Sequence, residues 1–353
     1  MGITFNIKKS IISRSIEKKK KTNSFDIVAA DNYFLAADAP KEMNNSHYFV
    51  GFNFASDEML FFRVGNRGGD YQNEIWMVYR NSRGEVFVQD KDHFDKGGEL
   101  PAKVEIVEAG KKIRFIYDGF VREASKKEKG FWFDADSKKL PLLLDIEFCA
   151  TTESFEFMQH LATETTANAL AAEKLSNLKE FRTMQQVHYE QAGKLSGIIK
   201  LGKKESKIEN FDAVRDHSYG PREWSNFDRY VWTIIILENG EVLHTSLIRY
   251  PFLKEMKAGF SIKNGNTVSL LTSDSMDTLP IVGNTPDAFE MTTAYVDGSA
   301  RNISCKLDFV VPYYFKGDFN VNEGFSDFVV DGVKGKGIAE FGFNSDKSRW
   351  SRK

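Results

Sequence analysis

The sequence predicts an all-β protein with one bridging helix, built as two antiparallel barrels or half-barrels. Three observations carry this. From Phe49 onward, short apolar or alternating runs are separated by turn residues about every ten positions, the pattern of a sandwich or barrel. A chain of 353 residues outgrows a single core, so two domains of about 150 residues each are expected. The 30 Phe, 12 Tyr and 5 Trp favour sheets and apolar pockets.

The elements follow in order. Ile3, Ile7, Ile11 and Ile16 fall on one helical stripe, with Lys8, Lys9, Arg14 and Lys18 to Lys21 elsewhere. Residues 1–24 therefore read as a basic segment, either amphipathic on an anionic membrane surface or a solvated tail. Tyr48 to Phe54, Met59 to Val64, Glu74 to Arg80 and Glu85 to Asp90 are strands, the last two joined by Asn81-Ser82-Arg83-Gly84. Val104 to Glu108 and Lys112 to Tyr117 form a hairpin around Ala109-Gly110, Asp118-Gly119 turns the chain again, and Leu142 to Cys149 reads as a buried strand. Between Pro141 and Gly193 there is no proline or glycine, and Ala167, Ala171, Leu175, Leu178 and Phe181 recur at helical spacing. This predicts an amphipathic helix from Thr166 to about Gln185 that packs on a barrel. The expected division is 1–24, a β domain over 25–160, the bridge over 161–186, and a second β domain over 187–353.

In the second half, Leu195 to Leu201 and Ser206 to Asn210 bracket a lysine-rich tip. Arg229 to Leu237 and Glu241 to Tyr250 flank Asn239-Gly240, which as a two-residue turn places 238 opposite 241. That register sets Thr233, Ile235 and Leu237 beside Ser246, His244 and Val242 on a face suited to a ligand-holding lumen, making His244 a candidate contact. Hairpins around Asn264-Gly265 and Asp297-Gly298 follow, and Val329 to Gly332 and Gly335 to Gly342 close the chain. Gly335-Lys336-Gly337 lacks the strand, loop and helix order of a nucleotide fingerprint.

Polar and aromatic groups crowd most densely from Arg215 to Trp224. On an extended strand Arg215, His217 and Tyr219 share one face and Asp216 and Ser218 the other, so Arg215 and Asp216 do not pair with each other. Gly220-Pro221 then stops the strand. Two readings stand: a buried hydrogen-bond knot, or a rim of His217, Tyr219, Arg222 and Trp224 orienting a ligand's polar end.

Charge is balanced, 48 basic against 50 acidic residues, which argues against nucleic acid as a partner. No run of 18 apolar residues marks a transmembrane segment, and the first thirty residues lack the apolar core of a secretory signal. Cys149 and Cys305 stand far apart and propose neither a disulfide framework nor a thiolate metal site, so the chain reads as cytoplasmic. The six histidines form no His-x-x-x-His spacing, and no metal or other cofactor is expected. A Ser-His-Asp reading fails because the adjacent Asp216 and His217 aim apart.

His188-Tyr189-Glu190-Gln191, the Arg215-to-Trp224 run, and Asp331-Gly332 with Gly337-Ile338-Ala339-Glu340 together resemble the superfamily of two-domain lipocalin-like proteins. It includes hydroxyneurosporene synthase (a carotenoid hydratase), kievitone hydratase, fungal Diels–Alderases and the yeast survival-factor ceramide-binding proteins. The resemblance covers the second half best, and Tyr219 stands where many relatives are expected to have Trp. It implies two barrels with an apolar cavity holding a hydrophobic small molecule. Members that catalyse do so without cofactor, protonating and hydrating an alkene or folding a polyene to cyclise. On that footing Glu190, Asp216 and His217 are the candidate proton donors or orienters. Trp76, Trp224 and Trp232 are the candidate ring walls, and Tyr219, Arg222 and His244 further ligand contacts. The rival implied by the same superfamily is a non-catalytic lipid carrier docked through its N-terminal segment, a peripheral membrane contact.

Overall fold

The structure is a computed structural model. It describes the chain except residues 1–2, 96–97, 128–129, 133–136, 175, 178–185, 280–284, 316–318 and 351–353, with only the backbone described for 125–127 and 130–132. Helices α1 (Ile3–Thr22) and α2 (Ile27–Asp31) come first. Then follow β1 (Met43–Asn53), β2 (Glu58–Arg67), β3 (Asn73–Arg80), β4 (Val86–Gln89), β5 (His93–Phe94), β6 (Ala102–Glu108) and β7 (Lys112–Glu123). A small hairpin, β8 (Ser125–Lys127) and β9 (Gly130–Trp132), precedes β10 (Lys139–Ala150), β11 (Phe155–Glu156), α3 (Phe157–His160) and α4 (Thr163–Ala172). The long pair β12 (Val187–Leu201) and β13 (Lys204–Pro221) leads to β14 (Arg229–Leu237), β15 (Val242–Tyr250), β16 (Leu253–Lys263) and β17 (Asn266–Ser273). The last strands are β18 (Ala288–Tyr295), β19 (Ala300–Phe315), β20 (Phe319–Val330) and β21 (Val333–Asn344).

The chain forms two compact units, one of Asp26–Phe155 with Gln186–Arg222, the other of Met1–Phe25, Glu156–Gln185 and Glu223–Lys353. In the first, the sheet runs β10-β12-β13-β1-β2-β3-β4-β7-β6, and β7 also pairs with β10, so the pairings return to their start. Its core face carries Phe49, Phe62, Phe115, Leu144, Phe148 and Phe211. In the second, β14 to β21 form a closed antiparallel barrel around Ile235, Leu243, Leu270, Phe289, Phe328 and Phe341.

The sequence predicts one C-terminal domain over 187–353, but residues 187–222 belong to the first unit and not with the C-terminal strands. β12 pairs with β10 and β13 with β1, completing the first unit. The chain leaves that unit for α3 and α4 and returns to it, a long-range pairing that local periodicity does not reveal. The predicted helix is also shorter. It ends at Ala172 because Glu173 is extended and its carboxylate accepts from the Lys254 amide at 2.7 Å; Leu175, Leu178 and Phe181 lie outside the described residues. α4 packs on the barrel of its own unit, Thr165 Oγ1 donating to the Leu271 carbonyl at 2.6 Å. The expected turn at Asp118-Gly119 is absent, since β7 runs straight through it paired with Leu142 and Leu143.

The hairpin at Asn239-Gly240 closes differently from the two-residue form. The Leu237 amide donates to Glu241 and the Gly240 amide to Leu237, with Gly240 at φ 81°, a three-residue loop that needs glycine's left-handed freedom. The register therefore shifts by one, pairing Ile234 with His244 and Thr233 with Thr245. Because side chains alternate, His244 moves off the core face and onto the outer wall with Trp232, Ile234 and Ile236.

Candidate functional site

Strand alternation makes β13 the organising element of the first unit, since it presents Arg215 and His217 to the core face and Asp216 and Ser218 to the outer one. On the core face the Arg215 guanidinium forks onto Asp31, Nη1 to Oδ1 at 2.7 Å and Nη2 to Oδ2 at 3.2 Å. Its Nε donates to Gln191 Oε1 at 2.9 Å, and Gln191 Nε2 donates to the carbonyls of Gly110 and Thr152. Asp31 also accepts from the Tyr189 hydroxyl and from the Gly110 amide. Asp26 caps α2 through the amides of Val28 and Ala29, and Asp31 at its other end ties this short helix to β13 by the buried ion pair with Arg215 and to the β6–β7 turn by the Gly110 amide. Burial alone would raise the Asp31 carboxyl, but Arg215, Tyr189 and Gly110 together hold it below its usual range.

His217 continues that network. Its Nδ1 lies 2.7 Å from the Tyr189 hydroxyl and its Nε2 2.8 Å from Asn45 Oδ1, while His47 stacks on it at 3.8 Å. Burial, then the Arg215 charge, push His47 down to about 4, and burial with the neighbouring His47 and Arg215 pushes His217 well below its ordinary value. Both imidazoles are thereby neutral at physiological pH. Tyr219 stacks on Tyr33 at 4.0 Å. This side of the motif is the hydrogen-bond knot.

The outer face is where acid groups meet rings. One ladder row crosses five strands in register: Glu190, Asp216, Tyr48, Arg63 and Trp76. At about 4.8 Å per strand this row spans about 19 Å. His188, two residues before Glu190 on the same face, contacts Asp216 through Nε2, and that atom is 3.8 Å from Glu190 Oε1. The Glu190 side chain is fully buried, that of Asp216 is 12% exposed and that of His188 27%, so solvent reaches the cluster from the histidine side. Arg63 pairs with Glu74 at 2.8 Å and lies 4.3 Å over the Trp76 ring, covering one face of the indole. A side chain at Gly65 would meet both partners of that pair at about 3 Å, so glycine lets the pair cross the strand. The next row, Ala192, Val214, Val50, Phe61 and Val78, is wholly apolar. The face thus grades from charged to greasy.

The structure brings Glu190, Asp216 and Trp76 into one row and sends His217 to the opposite face. Arg222 donates to Ser218 Oγ at 3.0 Å. Trp224 belongs to the other unit and stacks on Phe315 at 4.1 Å. There, too, Trp232 meets His244 at 5.2 Å, and His244 is wholly buried, its Nε2 2.7 Å from Ser246 Oγ with Phe260 stacked at 5.4 Å. The residue missed from the sequence is His188. Its signal was the His-x-Glu spacing on a strand, which sets both side chains on one face, but the third member sits across a hairpin.

This architecture defines a two-domain lipocalin-like β protein, the fold that the sequence resemblance implied. The chain belongs to the family described as "Domain of unknown function (DUF7064)", whose model matches residues 29–345. The structure is similar to that of kievitone hydratase from Nectria haematococca, with a TM-score of 0.50 at 10% identity over 92% of this chain and 97% of that one. It is also similar to CghA, with a TM-score of 0.51 at 8% identity over 87% and 90% of the two chains. For CghA with Sch210972 the values are 0.52, 8%, 86% and 88%. At such identities the fold is what is shared. No curated protein matches the sequence.

Two outcomes follow from the core-face network. Asp31→Asn leaves the Arg215 charge buried without its counter-ion and should cost about 3–5 kcal/mol of stability, whereas the double change with Arg215→Met should recover much of it; urea unfolding of the three chains measures both. For the histidines, the folded state binds fewer protons than the unfolded one below the ordinary value of 6.5. Stability is therefore full above that value and falls as pH drops from about 6.5 towards 4, by about 3 kcal/mol for His47 alone. A melting temperature that stays flat across that window would contradict the buried neutral pair.

Proposed function

We propose that this protein binds an elongated apolar small molecule, an isoprenoid, polyketide or lipid, against the outer face of β12, β13, β1, β2 and β3, and acts on it as a cofactor-independent hydratase, cyclase or isomerase. The observation that carries the reading is the in-register row from Glu190 to Trp76, with acids at one end, rings at the other and an apolar row alongside. In hydration, one carboxyl of the Glu190–Asp216 pair gives its proton to an alkene carbon, the neighbouring carbon takes on positive charge, and water adds there and returns a proton to a carboxylate. Aromatic faces lower the energy of that positive charge. Trp76 already holds Arg63, so this role falls mainly to Tyr48 and Phe61, whose rings meet edge to face at 5.0 Å. His217 is assigned to the structural knot and not to the chemistry.

Native mass spectrometry of protein from its own source should recover a bound apolar compound, and incubation should convert it, for a hydratase with the mass gain of one water. Glu190→Gln and Asp216→Asn should each lower turnover about 100-fold or more with little change in melting temperature. Full turnover in both variants would overturn the acid role.

A second reading is a lipid carrier docked on membranes, and one feature favours it. Ile3, Ile7 and Ile11 of α1 stand 81%, 57% and 63% exposed on one stripe. Among the described residues no helix is long and apolar enough to cross a membrane. Exchanging the three isoleucines for serine should abolish partition onto phosphatidylserine vesicles; unchanged partition would remove this reading.

A further inference from the structure

We propose that His188, Glu190 and Asp216 form a binding site for a divalent transition-metal ion. The three side chains offer one imidazole nitrogen and two carboxylate oxygens, all within 4.8 Å of one another. A tetrahedral ion with bonds of about 2.0–2.2 Å sets its ligand atoms about 3.3–3.6 Å apart; His188 Nε2 and Glu190 Oε1 stand 3.8 Å apart, whereas His188 Nε2 is hydrogen-bonded directly to Asp216, a contact that an ion would replace as the carboxylate steps back. Imidazole nitrogen and carboxylate oxygen are the donors that such ions take in proteins. The nitrogen donor favours zinc, manganese, iron or cobalt over magnesium or calcium, whose sites are built from oxygen alone.

The scaffold suits the task. His188 and Glu190 are alternate residues of β12, and Asp216 is the register partner of Glu190 on β13, so all three sit on paired strands with fixed backbones. The partly exposed edge of His188 gives an ion its way in and leaves a coordination position facing solvent.

The inference stands apart from the proton-transfer reading. A bound ion turns both carboxylates into ligands and stops them exchanging protons, so it would act as an inhibitor of that chemistry. Isothermal titration of the chelator-stripped full chain with ZnCl2 and MnCl2, without any organic ligand, tests the site directly. The expected result is one ion per chain, with affinity falling about 10–100-fold in each of His188→Asn, Glu190→Gln and Asp216→Asn, and unchanged in His93→Asn, a histidine on another strand. Binding that all three variants retain, or no stoichiometric binding, overturns the proposal. The Co2+ spectrum of the wild-type chain gives a second measure that needs no substitution. Bands of a low-coordinate nitrogen and oxygen site support it, and the spectrum of hexaaqua Co2+ refutes it. If the ion fails to bind while turnover still depends on Glu190 and Asp216, only the metal site falls.

Discussion

One extra residue in β13 decides what meets what. Near the hairpin tip Gly197 pairs with Ile208, but beyond it Leu195 pairs with Phe211, so Ser196 faces two residues, Glu209 and Asn210. Asn210 takes the left-handed conformation, φ 53°, and its amide donates to Ser196 Oγ at 3.0 Å. Asparagine tolerates that conformation better than most residues. Carried on without this bulge, the register would set Glu190 opposite Arg215 on a single face. With it, Glu190 meets Asp216, and Arg215 meets Gln191. The sorting of the long motif into a core-facing knot and an outward acid row rests on that step.

The two faces then do different work. On the inside, Arg215, Asp31, Gln191, Tyr189, His217 and Asn45 satisfy one another and clip α2 to the β6–β7 turn. A buried ion pair is weak evidence for net stability, yet it strongly penalises arrangements that leave either charge alone. It therefore specifies where α2 docks. That fixed core face holds β12 and β13 in one register, and the same register places the outward carboxylates beside each other. Positioning of the acid row is thus set from behind, by side chains on the opposite face of the same strands.

The fold class and most strands were legible because period-two alternation and glycine turns are local signals. So was the opposition of Arg215 and Asp216, which needs only strand geometry. The domain boundary was not, because β12 pairs with β10 and β13 with β1, strands remote in the chain, and nothing local in 187–222 records those partners. His244 was misplaced by a single residue of loop length, which is enough to exchange the faces of a strand. His188 was passed over for the same reason in reverse. Its spacing to Glu190 is visible in the sequence, but the bulge that brings Asp216 to them is not a pattern any hydrophobic period contains.

The second unit repeats the logic on its own wall. There the outer row runs Ser246, Trp232, Glu340 and Glu323, again two carboxyls on adjacent strands next to a tryptophan. Tyr230 donates to Glu340 from the neighbouring strand, and Glu323 is fully buried. Paired carboxylates away from water are costly and are retained where neighbours or function compensate. Each unit sets a carboxyl pair on the face opposite its aromatic and aliphatic core, while the first also keeps the Arg215–Asp31 pair on its core face. A single such pair is easily an accident of one strand. Two, each in register with a tryptophan, show the same arrangement built on separate strands of the two units, with Glu190 and Glu323 both buried.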